Sequence, residues 1–215
     1  EFLKVIQKKF YRWKVKCHKE LEDILDFLLE IDKLKKMPRL YWILRGVKNP
    51  ETVAGHVFTL ALMAWIFGRE KPELNMGKLL KMALCHELSA VYTGDTTPYD
   101  KILPKDKEKR KKILEKLPRL RKIEKAKKFR INYEEEKDAL LKLTQRLEPA
   151  LKKEIIQLWH EYRIRSTPEG YFLSQLNVLA VLFQGLFYKK QYKNFSVSAL
   201  WEWALEICDD PVTIN

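Results

Sequence analysis

Segment after segment of this chain carries apolar residues at the helical period, and none carries the strict alternation of a half-buried strand. Leu21, Ile24, Leu25, Leu28, Leu29, Ile31 and Leu34 make one such stripe. Leu140, Leu141, Leu143 and Leu147 make a second, and Ile155, Ile156, Leu158 and Trp159 a third. Helix punctuation agrees. Asn75 is placed to cap one helix, and Thr167-Pro168-Glu169 opens a long one that runs to about Lys190. Asn49-Pro50-Glu51 reads as the entry of a helix ending near Gly68. Val53, Val57, Leu60, Leu62, Met63, Trp65 and Ile66 make that helix apolar around most of its circumference, so it is expected at the centre of the fold. With 215 residues, 46% of them hydrophobic, the chain can bury one substantial core. The expectation is an all-α single domain over residues 1–215, with a short amphipathic helix over 2–14, helices over 133–147 and 149–165, and a last helix carrying Val197, Leu200, Trp201 and Ile207.

The densest chemistry lies between Asn75 and Asp100, NMGKLLKMALCHELSAVYTGDTTPYD. Its apolar positions predict one helix running on until Gly94 and Pro98 stop it. Within that helix stand His86 and Glu87, and just beyond it Asp95, Thr96 and Thr97. Neighbouring helical residues point about 100° apart, so this imidazole and carboxylate cannot pair face to face, yet both can reach a third object such as a metal ion. His56, on another apolar helix, is a second candidate nitrogen ligand.

Composition removes several alternatives. Cys17, Cys85 and Cys208 lie far apart and form no CxxC pair, which argues against a disulfide framework and against a zinc finger. The longest uninterrupted apolar run near the C-terminal half, Val178 to Phe183, is too short to span a bilayer, so no membrane association is expected. EFLKVIQKKFYRWKVK lacks the apolar block of a signal peptide, and a cytoplasmic location is expected. Of the net charge of +13, residues 101–130 supply +11, from 15 Lys or Arg against the acids Asp106, Glu108, Glu115 and Glu124. This segment, punctuated by Pro104 and Pro118, reads as a solvated helical surface. Phe129 is its one aromatic, so a base-stacking platform for nucleic acid is not expected.

The stretches LRGVKNPETVAGH (44–56), HELSAVYTGDTTPYD (86–100) and FLSQLNVLAVLFQGLFYKK (172–190) resemble the HD-domain phosphohydrolases, in particular the group similar to 5′-deoxynucleotidases. The resemblance implies an HD-type helical bundle that holds one divalent ion (Mn, Co, Mg or Zn) on two histidines and two aspartates. Carried onto this chain, the ligand positions are His56, His86, Glu87 and Asn177. It further implies that Glu87 is catalytic, that Asp95 faces the nucleotide sugar, and that Arg45, with Arg39, contacts phosphate, while Trp42 walls the base pocket. A homodimer is also implied.

The chain departs from that pattern at the site. Glu87 stands in place of aspartate, neutral Asn177 in place of the distal aspartate, Ala90 where the family carries a glutamate, and Gly55 where an acid precedes the first histidine. Val178, Ala180 and Val181 replace polar residues. These changes remove acid–base capacity. They lead to the expectation of a repurposed or engineered scaffold whose pocket takes an apolar small molecule, lined by Trp42, Gly55, Val57, Ser89, Ala90, Val178, Val181 and Gln184. A nucleophile at Ser89 or Cys85 would be a variant of that reading. The alternative is a metal-dependent phosphomonoesterase acting on nucleoside 5′-monophosphates.

Overall fold

A computed structural model of the chain describes residues 19–97, 103–116 and 121–214. The helix expected over 2–14 lies outside the described residues. Residues 19–31 form α1, followed by a 3-10 turn at Asp32–Lys35. Then come α2 (Leu40–Leu44), α3 (Val53–Gly68), α4 (Met76–Cys85), α5 (Ala90–Thr93) and α6 (Lys107–Leu114). The second half contains α7 (Lys122–Leu143), α8 (Pro149–Ile164), α9 (Pro168–Gln191), α10 (Ser198–Ile207) and α11 (Pro211–Ile214). Among the described residues, the sole extended pairing is an isolated antiparallel bridge between Pro38 and Thr52. The fold is all-α.

That bridge moves the start of α3. Arg39 N donates to Glu51 O at 2.9 Å and Val53 N to Met37 O at 2.8 Å. These bonds hold Glu51 and Thr52 extended against Pro38, so the helix begins only at Val53 and Asn49-Pro50-Glu51 is not its entry. Thr52 is the N-cap instead, its hydroxyl accepting from Gly55 N at 3.1 Å. Gly55 therefore sits in the first turn, where a Cβ would touch only Thr52 Oγ1 at 3.4 Å.

Other local signals act as the sequence suggests. Asn75 caps α4 by accepting from Lys78 N at 3.0 Å, and Thr167 caps α9 by accepting from Gly170 N at 3.2 Å. The helix expected from Asn75 to Gly94 is broken, however: 86–89 form a turn between α4 and α5. Helix α7 runs unbroken from Lys122, where Glu124 Oε2 accepts from Arg121 N at 3.1 Å, so no boundary falls at 133.

Among the described residues, the core comprises three apolar clusters. The first joins Leu60, Met63 and Ala64 of α3, Leu79, Met82 and Ala83 of α4, Leu158 of α8 and Phe172, Leu173 and Leu176 of α9. The second gathers Val53, Leu88, Ala90 and Val91 with Leu140, Leu143, Ile155 and Trp159. The third packs Trp42 and Val47 against Val178, Val181, Leu182, Tyr188 and Leu200.

Helix α9 contributes to the first and third clusters and is the central element. By length and composition it could cross a membrane, but 61% of its most apolar window is buried within the fold. Helix α3 is less central than its sequence suggests. Phe58, Trp65 and Ile66 are 65%, 56% and 58% exposed, because among the described residues the helix meets its neighbours mainly through the face bearing Val53, His56, Leu60 and Met63. Gly185 records a close approach: a Cβ there would collide with Leu200 Cδ1, so a larger residue requires the Leu200 side chain of α10 to move.

Candidate metal centre

Three elements deliver the site. Thr52 fixes the first turn of α3, and His56 follows with its N donating to Thr52 O at 3.0 Å. His56 is buried, on the face of α3 that carries Leu60 and Met63. His86 is the C-cap residue of α4, also buried. The break after it places Glu87 in a turn, with Ala90 N donating to Glu87 O at 3.1 Å. Asn177 comes from α9.

The two rings meet. Their centroids are 5.5 Å apart at 61°, and His86 also lies edge-on to Tyr162 at 5.2 Å. His86 Nδ1 donates to Ala83 O at 2.7 Å, which leaves the Nε2 lone pair as the free coordinating position. His86 Nε2 is 3.7 Å from Glu87 Oε1. One ligand atom each from His56, His86 and Glu87 can be chosen so that all lie within 4.8 Å of one another. Ligands of a tetrahedral ion stand about 3.4 Å apart, so the set closes on one ion by drawing in by up to about 1.4 Å.

Hydrogen bonding identifies the same place. Buried polar groups are normally paired, yet among the described residues His56 Nε2, His86 Nε2 and Asn177 Oδ1 make no close hydrogen bond. Asn177 Nδ2 donates to Tyr162 Oη at 3.0 Å, which turns the carboxamide oxygen the other way. Two such imidazole nitrogens beside a carboxylate fit a divalent cation, and the residues present match that group.

Electrostatics keep the donors in ligating form. Burial pushes His56 well below its usual pKa, and nearby Arg39 and His86 add to this. Burial also lowers His86, against the pull of Glu87. Both rings are therefore neutral at pH 7, as coordination requires. Burial works to raise Glu87, but Arg39 above all, with His86 and His56, holds it down to about 2. Tyr162 is pushed up to about 12 by burial and by Glu87, so its hydroxyl stays protonated.

Arg39 is the cation of the site. Its Nη1 donates to Glu87 Oε1 at 2.7 Å and lies 3.1 Å from Asp95 Oδ1. Asp95, a residue of the GDTTP turn, also accepts from Leu40 N at 2.5 Å, tying that turn to the start of α2.

The other expected residues go elsewhere. Arg45 is buried, donates to Tyr41 Oη at 2.9 Å and to Ser196 O, and stacks over Phe195. It is a packed structural arginine, because these partners occupy its guanidinium. Trp42 is 1% exposed, its Nε1 donates to Glu51 Oε1 at 2.8 Å, and its ring packs edge-on against Tyr188. Trp42, Val178 and Val181 thus fill the third cluster instead of lining a hollow, and Gln184 lies beside the Tyr188 hydroxyl. Ala90 is packed in the second cluster; Val57 and Gly55 are half-buried on α3. Ser89 is buried. Cys85 is half-buried, and burial pushes its thiol up to about 11, the opposite of an activated nucleophile. Sequence reasoning missed Tyr162, and also Glu136, which pairs with Arg163 at 2.8 Å and whose pKa burial and nearby Glu87 raise. Nothing local marks either one; Tyr162 is simply the turn of α8 that faces His86.

A helical domain that brings two buried histidines and a carboxylate into one crevice is an all-α protein with a group able to hold a metal ion. The chain belongs to the HD-domain family: the model of the HD domain matches residues 31–130 and 120–202. It is 30% identical over 166 residues to the 5′-deoxynucleotidase HDDC2 of Homo sapiens, covering 77% of this chain and 68% of that protein. The Danio rerio protein of the same name is 28% identical over 170 residues, covering 79% and 72%. Among solved structures, a conserved hypothetical protein from Pyrococcus furiosus superposes with a TM-score of 0.61 at 26% identity, over 85% of this chain and 87% of that one. A predicted metal-dependent phosphohydrolase from Magnetospirillum magnetotacticum gives 0.55 at 25% identity, over 78% and 72%.

Proposed function

We propose that this chain is a metal-dependent phosphomonoesterase acting on deoxynucleoside 5′-monophosphates. The observation that carries the reading is the convergence of two buried Nε2 atoms with Glu87 in one buried crevice. The relatives named 5′-deoxynucleotidases support the substrate class. The expectation of an apolar ligand loses its footing, since Trp42, Val178 and Val181 are occupied in packing the core.

His56 and His86 supply neutral nitrogen donors, Glu87 the negative charge, and Asn177 a weak neutral oxygen. A divalent ion held there would neutralise phosphate charge and lower the pKa of coordinated water. Arg39, already in contact with Glu87 and Asp95, brings a planar fork that suits phosphate oxygens. Tyr162 contributes a fixed neutral hydroxyl that orients Asn177. No carboxylate stands at position 90, so the chain lacks one proton-handling group and slow turnover follows.

The test is phosphate release from a panel of deoxynucleoside and ribonucleoside monophosphates with Mn²⁺ or Co²⁺ added. The reading requires metal-dependent release that His56→Ala abolishes. Turnover unaffected by that substitution, or no release from any monophosphate, contradicts it.

A further inference from the structure

The charge of the metal crevice is already balanced from within. Of the four candidate donors, Glu87 alone carries a formal charge, and its Oε1 is taken by Arg39 Nη1 at 2.7 Å. Both side chains are sheltered, at 12% and 22% exposure. The arginine is not a loose surface cation. Its own N donates to Glu51 O at 2.9 Å, and the following residue, Leu40, donates its N to Asp95 Oδ2. The neighbouring Pro38 is bridged to Thr52, the residue that caps the helix of His56. The same backbone frame therefore sets the position of Arg39 and of His56.

A cation so placed stands against a second cation at Glu87. An ion approaching His56 and His86 must take the carboxylate from Arg39 or share it. Separating a sheltered pair is costly when one partner is left alone. Here it need not be, because Asp95 Oδ1 lies 3.1 Å from the same Nη1 and can keep the guanidinium when Glu87 turns away.

We infer that Arg39 is an internal counter-ion competing with the divalent cation for Glu87, so that metal entry and release of Glu87 from Arg39 are one coupled exchange, with Asp95 retaining the arginine. The inference rests on the metal-centre reading above. It makes Arg39 a positioning residue that sets metal affinity, whatever its later contact with a phosphate. By linkage, whatever strengthens the Arg39–Glu87 pair weakens metal binding to the same extent.

The experiment is a Mn²⁺ titration of the full chain against a chromophoric chelator, comparing wild type, Arg39→Gln, Glu87→Gln and the double variant, with Arg39→Lys alongside. Arg39→Gln should bind the ion about tenfold more tightly, and the gain should shrink to less than about twofold in the Glu87→Gln background. Arg39→Lys, which keeps a cation for Asp95 but gives up the fork, should show a smaller gain in the same direction, so the inference remains testable if Arg39→Gln misfolds. Unchanged or weaker binding in both arginine variants overturns the exchange. So does a gain that persists in full without the Glu87 carboxylate, since that is bulk charge repulsion. Wild-type binding that does not depend on His56 would instead sink the metal-centre reading itself; His56-dependent binding with no effect of Arg39 sinks this inference alone. Failure of wild type and Arg39→Gln alike to bind the ion removes both.

Discussion

His56 and His86, thirty residues apart along the chain, hold their rings 5.5 Å from one another, each with a buried Nε2 that makes no close hydrogen bond among the described residues. Two such nitrogens side by side are poor company for protons and good company for a cation. The account of the site follows from that pair.

Acid should destabilise the protein through these rings. Burial sets both folded pKa values below the free value of 6.5, so the unfolded chain binds protons that the folded one refuses. Their contribution is complete above about pH 6.5 and is lost as the pH falls below it. Glu87, held at about 2, keeps its contribution above 4.5 and loses it only as the pH falls towards 2. Between these ranges the histidines set the slope. Urea unfolding in chelator from about pH 8 to about pH 5 should show falling stability, and His56→Gln should flatten that fall. An unchanged slope in the variant counts against neutral burial of His56.

Asn177→Asp should tighten metal binding by about tenfold, because a charged oxygen replaces the carboxamide at the position beside His56. In chelator the same variant should be less stable than wild type, as its new carboxylate is sheltered near Glu87 with no added cation. Calorimetry with Mn²⁺ and a thermal melt without it check the two signs. Tighter binding together with a more stable metal-free form contradicts this placement of Asn177.

Gly185→Ala should cost about 1–3 kcal/mol, since its Cβ would collide with Leu200 Cδ1 in a filled cluster. The companion change Leu200→Ala should recover part of the loss, and metal affinity should stay as in wild type. Denaturant midpoints and a metal titration report these separately. A neutral Gly185→Ala would mean that α9 and α10 are not tightly apposed.

Thr52→Ala should cost about 1 kcal/mol through loss of the cap on α3. Asn49→Ala should cost little by comparison, as that residue caps nothing. The two midpoints, measured together, test the corrected start of the helix that carries His56.

What could be read from the sequence was what is decided locally. Asn75 and Thr167 cap helices because cap, first turn and apolar stripe lie within a few residues of one another. Asn49-Pro50-Glu51 has the same local grammar and fails, because Arg39 and Met37 claim the backbone of 51–53 from a distance. The break at 86–89 has no glycine or proline to announce it; it arises where α4 and α5 pack on different neighbours. Composition made α3 look fully buried, yet apolarity alone does not say which face finds a partner, and Phe58 and Trp65 find none in the described structure. At the site, His56, His86, Glu87 and Asn177 were named as ligand positions through family resemblance alone, and the fold brings ligand atoms of the first three within 4.8 Å of one another. The pairing of Arg39 with Glu87 and Asp95 spans 48 and 56 positions, and only the folded chain brings it about.

The central claim is a His-dependent divalent-cation site, and direct titration of Mn²⁺ into the chelator-stripped protein tests it most simply. The account predicts one ion per chain in the wild type, with binding lost in both His56→Ala and His86→Ala while the helical circular-dichroism signal is kept. Binding that survives both substitutions, or no binding by any well-folded form including Asn177→Asp and Arg39→Gln, would contradict it.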